Sequence, residues 1–197
     1  MKKLFLILVL MTASISLSSA KEDKRINSCY EGNVTSCYEL GMKHDDFGEG
    51  VRRSYKKALE YYTKACDGNH YDACANLGLL YELGNGVKQC YAKAIELYKK
   101  ACHNKSGEGC TNLGNMYEHG KGVKEDIKMA EEMYQEGCFL QSGLGCYKLG
   151  VIYYEDLNPD ASVSVVKSLF REACSLGEIL GCENFEILQK SYRTFEK

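Results

Sequence analysis

Residues 66–87 read CDGNHYDACANLGLLYELGNGV, and the two cysteines of that stretch, Cys66 and Cys74, decide the architecture because their interval recurs along the chain. Cys29 and Cys37, Cys102 and Cys110, Cys138 and Cys146, and Cys174 and Cys182 repeat it, each pair starting 36 or 37 residues after the last. Of the 11 cysteines only Cys90 stands outside this register. A fixed period of this length means that one supersecondary unit has been copied and stacked.

Around the cysteines other residues keep the same register. Asn76-Leu77-Gly78-Leu79-Leu80-Tyr81 matches Asn112-Leu113-Gly114-Asn115-Met116-Tyr117, with variants at Leu40-Gly41 and at Leu149-Gly150-Val151-Ile152-Tyr153. A turn follows, Gly84-Asn85-Gly86-Val87 or Gly120-Lys121-Gly122-Val123, and reads Gly48-Glu49-Gly50-Val51 in the first copy. The fourth copy has lost these glycines at Asp156-Leu157-Asn158-Pro159. Cys74, Leu77, Gly78 and Tyr81 recur at i, i+3, i+4 and i+7, as do Ala58, Tyr61, Tyr62 and Ala65, and Ala94, Leu97, Tyr98 and Ala101; this is the period of an amphipathic helix. Two helices per repeat follow. Gly41, Gly78, Gly114 and Gly150 are expected where a second helix crosses, since a mid-helix glycine costs about 1 kcal/mol against alanine and needs a packing reason. Ser54, Cys90, Asp126 and Ser162 share the position where the second helix of each repeat should be capped.

The amino terminus has a different composition. Lys2 and Lys3 precede the apolar run Leu4 to Met11, and small residues end at Ser18-Ser19-Ala20. This is the layout of a secretory leader cleaved near Ala20, the alternative being an uncleaved anchor. A secreted or periplasmic location is expected, where disulfides persist. The processed chain would carry 23 basic side chains (25 less Lys2 and Lys3) against 27 acidic ones. No basic run interleaves with aromatics, so no nucleic acid partner is expected. No further membrane span is expected, and a monomer is the simplest reading. The boundaries are a leader over 1–20, a loosely ordered stretch over 21–28, a solenoid over 29–182 and a capping helix over 183–197 that carries Phe185, Leu188 and Tyr192 at helical spacing.

The Leu-Gly-x-x-Tyr, Gly-x-Gly-Val and Lys-Ala-x-x-x-Tyr elements resemble the Sel1-like repeats, relatives of the tetratricopeptide repeat. With the leader and the five Cys-x7-Cys intervals, the chain looks like the secreted Helicobacter cysteine-rich protein family. The resemblance implies an all-α fold: a right-handed α/α superhelix of about four helix pairs with a concave face. It also implies penicillin binding with weak β-lactamase activity, a β-lactam or cell-wall-derived small molecule being the ligand. The other reading is a scaffold that holds a protein or peptide in the concave groove, with no catalysis.

Within such a stack, Cys66 would close one helix and Cys74 open the next, so nearest-neighbour bridging across the hairpin is sterically reasonable. A closed loop of about nine residues would contribute roughly 2.6 kcal/mol by the chain-entropy model. The pairs expected are Cys29-Cys37, Cys66-Cys74, Cys102-Cys110, Cys138-Cys146 and Cys174-Cys182. The rival, zinc, fits poorly: its paired cysteines usually stand closer together, and five pairs do not divide into fours. No metal or other cofactor is expected. Cys90 is left as a free thiol, either reactive at a helix amino terminus or a drifted cap.

Candidate catalytic groups are sparse. Ser54-x-x-Lys57 and Ser164-x-x-Lys167 match the Ser-x-x-Lys of serine β-lactamases, yet the companion Ser-Asp-Asn and Lys-Thr-Gly elements are absent from the sequence. Ser54 with Lys57 is the better candidate, although Ser54 also fits a cap. His44, His70, His103 and His119 are scattered singly, without metal-ligand spacing. His44 takes the place of a repeated tyrosine, whereas His70 and His103 fall in hairpins where exposure is expected. Glu60, Glu96 and Glu132 form a column that suits a solvated or partner-facing stripe. For binding in the groove, Asn76 and Asn112 are candidates, with Glu39 and Lys148 at the equivalent positions; exposed helix polarity explains them equally well.

Overall fold

The computed structural model describes residues 24–45, 54–155 and 163–195. The regular structure there is helical throughout: α1 over 24–30, α2 (Val34–Asp45), α3 (Tyr55–Asp67), α4 (Tyr71–Leu83), α5 (Tyr91–His103), α6 (Gly107–Glu118), α7 (Ile127–Phe139), α8 (Gly143–Glu155), α9 (Val163–Ser175) and α10 (Ile179–Phe195). Each helix from α2 onward packs on the next in an antiparallel hairpin, and α4 also packs on α6, α6 on α8 and α8 on α10. The even-numbered helices therefore form the closer inner layer of a solenoid, and the odd-numbered ones its outer layer. None of these helices is long and apolar enough to cross a membrane. The leader over 1–20, Ser162 and the turn at 156–159 lie outside the described residues.

All five junctions use one backbone solution. The third residue after the first cysteine is left-handed each time: Gly32, Asn69, Lys105, Gln141 and Gly177 have φ of 97°, 68°, 69°, 66° and 89°. The next residue caps the following helix with its side chain. Asn33, His70, Ser106, Ser142 and Glu178 accept hydrogen bonds from the backbone N–H groups of Ser36, Ala73, Gly109, Gly145 and Leu180, respectively. Such caps satisfy donors that a helix start leaves unpaired. The chain thus reverses within seven residues, bringing the flanking cysteines to Cα separations of 4.4–4.8 Å. The five nearest-neighbour disulfides form there, as the spacing predicts. His70 is consequently a cap and not a solvated hairpin residue, and its ring stacks on Tyr38 at 4.2 Å.

Within a repeat, an aromatic ring lies on a glycine. A Cβ added at Gly41, Gly78, Gly114 or Gly150 would come within 2.4, 2.6, 2.7 and 2.7 Å of the rings of Tyr62, Tyr98, Tyr134 and Phe170. The absent side chain is what lets the second helix approach, as the mid-helix glycines predict. Ala58, Tyr61, Tyr62 and Ala65 of α3 are buried, as are Ala94, Leu97, Tyr98 and Ala101 of α5. Gly86 and Gly122, at φ 72°, let each turn lie directly on the start of the preceding outer helix, at Tyr55 and Tyr91.

The ends depart from expectation. Residues 24–28 are helical, although a loose stretch is predicted over 21–28; the Cys29–Cys37 disulfide and the 3.1 Å Arg25–Glu39 ion pair tie α1 to α2. At the other end α10 starts at Ile179, four residues ahead of the predicted 183, because Glu178 caps it. Its outer side is not wholly polar, since Ile179, Leu180 and Ile187 are exposed.

Candidate inner-face groove

The exposed face of the inner layer can be assembled from helical spacing. Asp72, Asn76, Leu79 and Leu83 follow one another at steps of three or four residues and so share one side of α4; Tyr38, Met42 and Asp45 do the same on α2. In the third repeat the corresponding stripe is Glu108, Asn112, Asn115 and His119.

At the amino-terminal end of these stripes a polar cleft of about 350 Å³ is lined by Tyr38, Asp72, Asn76, Lys105, Glu108 and Ser142, among others. Its carboxylates are held by the caps of neighbouring repeats. Ser106 Oγ donates to Asp72 Oδ1 at 2.7 Å, and Ser142 Oγ donates to Glu108 Oε1 at 3.1 Å. The Tyr38 phenol is half-buried; burial, then the charge of Asp72, raise its pKa against a hydrogen bond with Asn76 that lowers it. Lys105 and Gln141 border the cleft as non-glycine residues at positive φ, a conformation that costs of order 1 kcal/mol.

At the other end of the stripes the character changes. A hollow of about 400 Å³ is lined by Met42, Tyr55, Leu79, Leu80 and Leu83, with Asp45, Tyr62 and Asn85. Met42 is 39% exposed and Leu83 55% exposed.

Beneath the groove, polar clamps tie inner to outer helices. Tyr98 Oη donates to Glu82 Oε2 at 2.8 Å, and Lys121 Nζ reaches Glu82 Oε1 at 2.8 Å. Tyr134 Oη donates to Glu118 Oε2, which Lys148 Nζ meets at 2.9 Å. Tyr62 Oη and Asp45 Oδ2 stand 3.5 Å apart in the first repeat. Burial raises the pKa of all three phenols, so each remains a neutral donor. Burial also works to raise the pKa of Glu118, but bonds from Tyr134 and Lys148 and the lysine charge outweigh it and hold the carboxyl below its ordinary value.

The residues singled out by sequence fall at scattered places. Asn76 lines the polar cleft, and Asn112 is half-buried one repeat on. Glu39 and Lys148, at equivalent positions, are engaged by Arg25 and Glu118. Ser54 opens α3 without a side-chain capping bond, and Lys57 is exposed. Ser164 is exposed in the first turn of α9, while the Lys167 ammonium stands 5.8 Å from the Phe185 ring. The structure thus shows no bond joining either serine to its lysine. Cys90 opens α5 as an exposed free thiol that makes no capping bond, whereas Asp126 at the same register does cap. His44 is buried against Tyr61, with ring centroids 5.7 Å apart, consistent with its place in the tyrosine register. His103 and His119 are exposed, as are Glu60, Glu96 and Glu132. Among the described residues no group of three or more His, Cys, Asp or Glu could hold a metal ion.

Sequence reasoning missed Asp72, Glu108, Ser106, Ser142, Glu82 and Glu118. Their signal was the same 36-residue register, present at polar positions between the apolar ones.

A family model described as Sel1 repeat matches residues 34–70, 72–106, 107–138 and 143–165. Helicobacter pylori cysteine rich protein B is 34% identical, with a TM-score of 0.52 over 69% of this chain and 98% of that one. A protective antigen of uropathogenic Escherichia coli displaying an SLR fold is 28% identical, with a TM-score of 0.68 over 83% of this chain and 35% of that one. A Sel1 repeat protein from Oxalobacter formigenes is 25% identical, with a TM-score of 0.67 over 78% of this chain and 62% of that one. Cytochrome c oxidase assembly factor 7 of Xenopus tropicalis is 37% identical over 60 residues, so the match spans only 26% of that relative's length and 28% of this chain. With four matched repeats over most of the described solenoid, the chain belongs to the Sel1 repeat family.

Proposed function

We propose that this chain is a disulfide-stapled binding scaffold that takes up a protein or peptide segment along its inner face. One observation carries the reading: a single helix face joins a polar cleft to an apolar hollow, with Met42 and Leu83 left exposed where no internal packing requires them. Extended concave surfaces of stacked repeats suit elongated ligands. Five disulfides favour an oxidising compartment, in keeping with a leader cleaved near Ala20. Selection of a random dodecapeptide phage library on the oxidised protein tests the scaffold reading. Sequences should be enriched that lose binding to Leu79→Lys; enrichment unaffected by that change, or none at all, defeats it.

β-Lactam binding with slow ring hydrolysis is the second reading, implied by the resemblance of the cysteine spacing to the Helicobacter cysteine-rich family. Ser54, with Lys57, is its candidate nucleophile. Turnover of a chromogenic cephalosporin by the oxidised protein, abolished in Ser54→Ala, is the outcome it requires. Turnover that survives the substitution removes Ser54 from consideration.

A further inference from the structure

We infer that the groove takes an extended peptide segment in which a large apolar side chain and a lysine or arginine stand three residues apart; this rests on the scaffold reading above. The apolar anchor follows from the hollow. Met42 and Leu83 expose much of their surface around a space of about 400 Å³ that Tyr55, Leu79 and Leu80 complete. Burying one leucine-sized group there would remove both partners from water, the main source of affinity at such a contact.

The charge of the occupant follows from the neighbouring cleft. Asp72 and Glu108 are exposed carboxylates whose hydrogen-bond donors are the neutral hydroxyls of Ser106 and Ser142. Lys105, which lines the same cleft, turns instead to Glu136 at 3.5 Å. Among the described residues neither Asp72 nor Glu108 is in an ion pair, so a basic side chain on the ligand would meet two carboxylates bonded only to neutral hydroxyls. An acidic one would be repelled.

The spacing follows from α4. Asp72 and Leu79 lie on one face seven residues apart, about 10 Å along the axis at the α-helical rise. A peptide in the extended polyproline II conformation, with three residues per turn at about 3.1 Å per residue, covers that distance in about three residues and turns both side chains to the same side. In the third repeat the positions of Leu79 and Leu83 are Asn115 and His119, which restricts the apolar hollow to the first two repeats. The ligand is therefore anchored at the amino-terminal half of the solenoid.

Fluorescein-labelled decapeptides with Leu-x-x-Lys or Lys-x-x-Leu in a Gly/Ser/Asn background test this by anisotropy with the full oxidised protein. Counterparts replace the lysine by glutamate or serine, or the leucine by serine. At least one Leu/Lys order should bind, more weakly as salt rises, and the glutamate form should not. Asp72→Asn with Glu108→Gln, which keeps acceptors for both serine hydroxyls, should weaken the lysine peptide by about fivefold and leave the serine form unchanged. Leu83→Ser should weaken the lysine and serine forms alike, with helicity by circular dichroism confirming that each variant folds. Equal or better binding of the glutamate peptide, with Leu83→Ser still weakening it, overturns the basic ligand while the scaffold reading survives. Failure of every peptide overturns both. Concentration-dependent self-association lost in Leu83→Ser, or affinity raised tenfold by Phe47→Ser, would assign the hollow to a second copy or to this chain's own segment 46–53 and overturn the inference.

Discussion

The second and third repeats and the fourth solve the same packing problem with different chemistry. In all of them an aromatic ring from the outer helix lies on a glycine of the inner one, Tyr98 on Gly78, Tyr134 on Gly114 and Phe170 on Gly150. Only the tyrosines carry a hydroxyl, and only their repeats place an acid, Glu82 or Glu118, to receive it. In the fourth repeat the acid's register holds Tyr154, which is 59% exposed, and the tyrosine's register holds Phe170. Donor and acceptor have been lost together. The ring-on-glycine contact is thus the element that builds the repeat, and the polar clamp is an addition that requires both halves, since a buried hydroxyl without an acceptor is costly.

The largest expected effect comes from removing the acceptor alone. Glu82→Ala would strand the Tyr98 hydroxyl at a fully buried ring and free Lys121, costing about 2–3 kcal/mol. Tyr154→Ala, at the same register, should cost less than about 0.5 kcal/mol because the side chain is exposed. Urea midpoints with both disulfide complements intact measure the contrast. Equal losses in the two variants would show that the acid is not what distinguishes the repeats.

The sequence made the ring and the glycine legible and left the clamp obscure, for a physical reason. Apolar periodicity reports which side faces a neighbour, so Leu77, Gly78 and Tyr98 announced themselves. A buried carboxylate looks like any other polar position until its partner is known, and Glu82 and Tyr98 are 16 residues apart on different helices. The junctions show the same division. Cysteine spacing was enough to pair the disulfides, whereas the left-handed residues were hidden because Asn69, Lys105 and Gln141 are not glycine. Groove candidates suffered most: Asn76 and Lys148 share a register, yet one borders a cleft and the other is tied to Glu118. Helix spacing gives a side chain's direction but not what it will meet.

A smaller effect separates the repeats by pH. The Glu118 carboxyl is held below its ordinary pKa in the fold, so the unfolded chain takes up its proton first as the solution is acidified. Its contribution is complete above the unfolded carboxylate value and is lost as pH falls through the lower folded value. Acid titration of stability should therefore show a steeper decline for the parent than for Glu118→Gln, the two curves converging at the acid end. The fourth repeat, with no carboxylate at this register, has no corresponding group. Parallel curves would remove the clamp from the acid response.

The smallest effect is also the most discriminating, because it tries to install the clamp where it is absent. Phe170 is 3% exposed, so Phe170→Tyr adds a hydroxyl at a closed site, in the register of the Tyr98 and Tyr134 hydroxyls, and should destabilise by about 1 kcal/mol. Adding Tyr154→Glu supplies the acceptor at the position occupied by Glu82 and Glu118 in the other repeats. The double variant should recover most of that loss, while Tyr154→Glu alone changes little at an exposed position. A coupling of about 0.5–1 kcal/mol in this double-mutant cycle would mean that register alone is enough to form the bond. No coupling would mean that the second and third repeats depend on the lysines as well, because Lys121 and Lys148 hold their carboxylates at 2.8 and 2.9 Å. The clamp would then be a property of two adjoining repeats, because Lys121 stands in the turn after α6 and Lys148 on α8, each one repeat beyond the carboxylate that it meets.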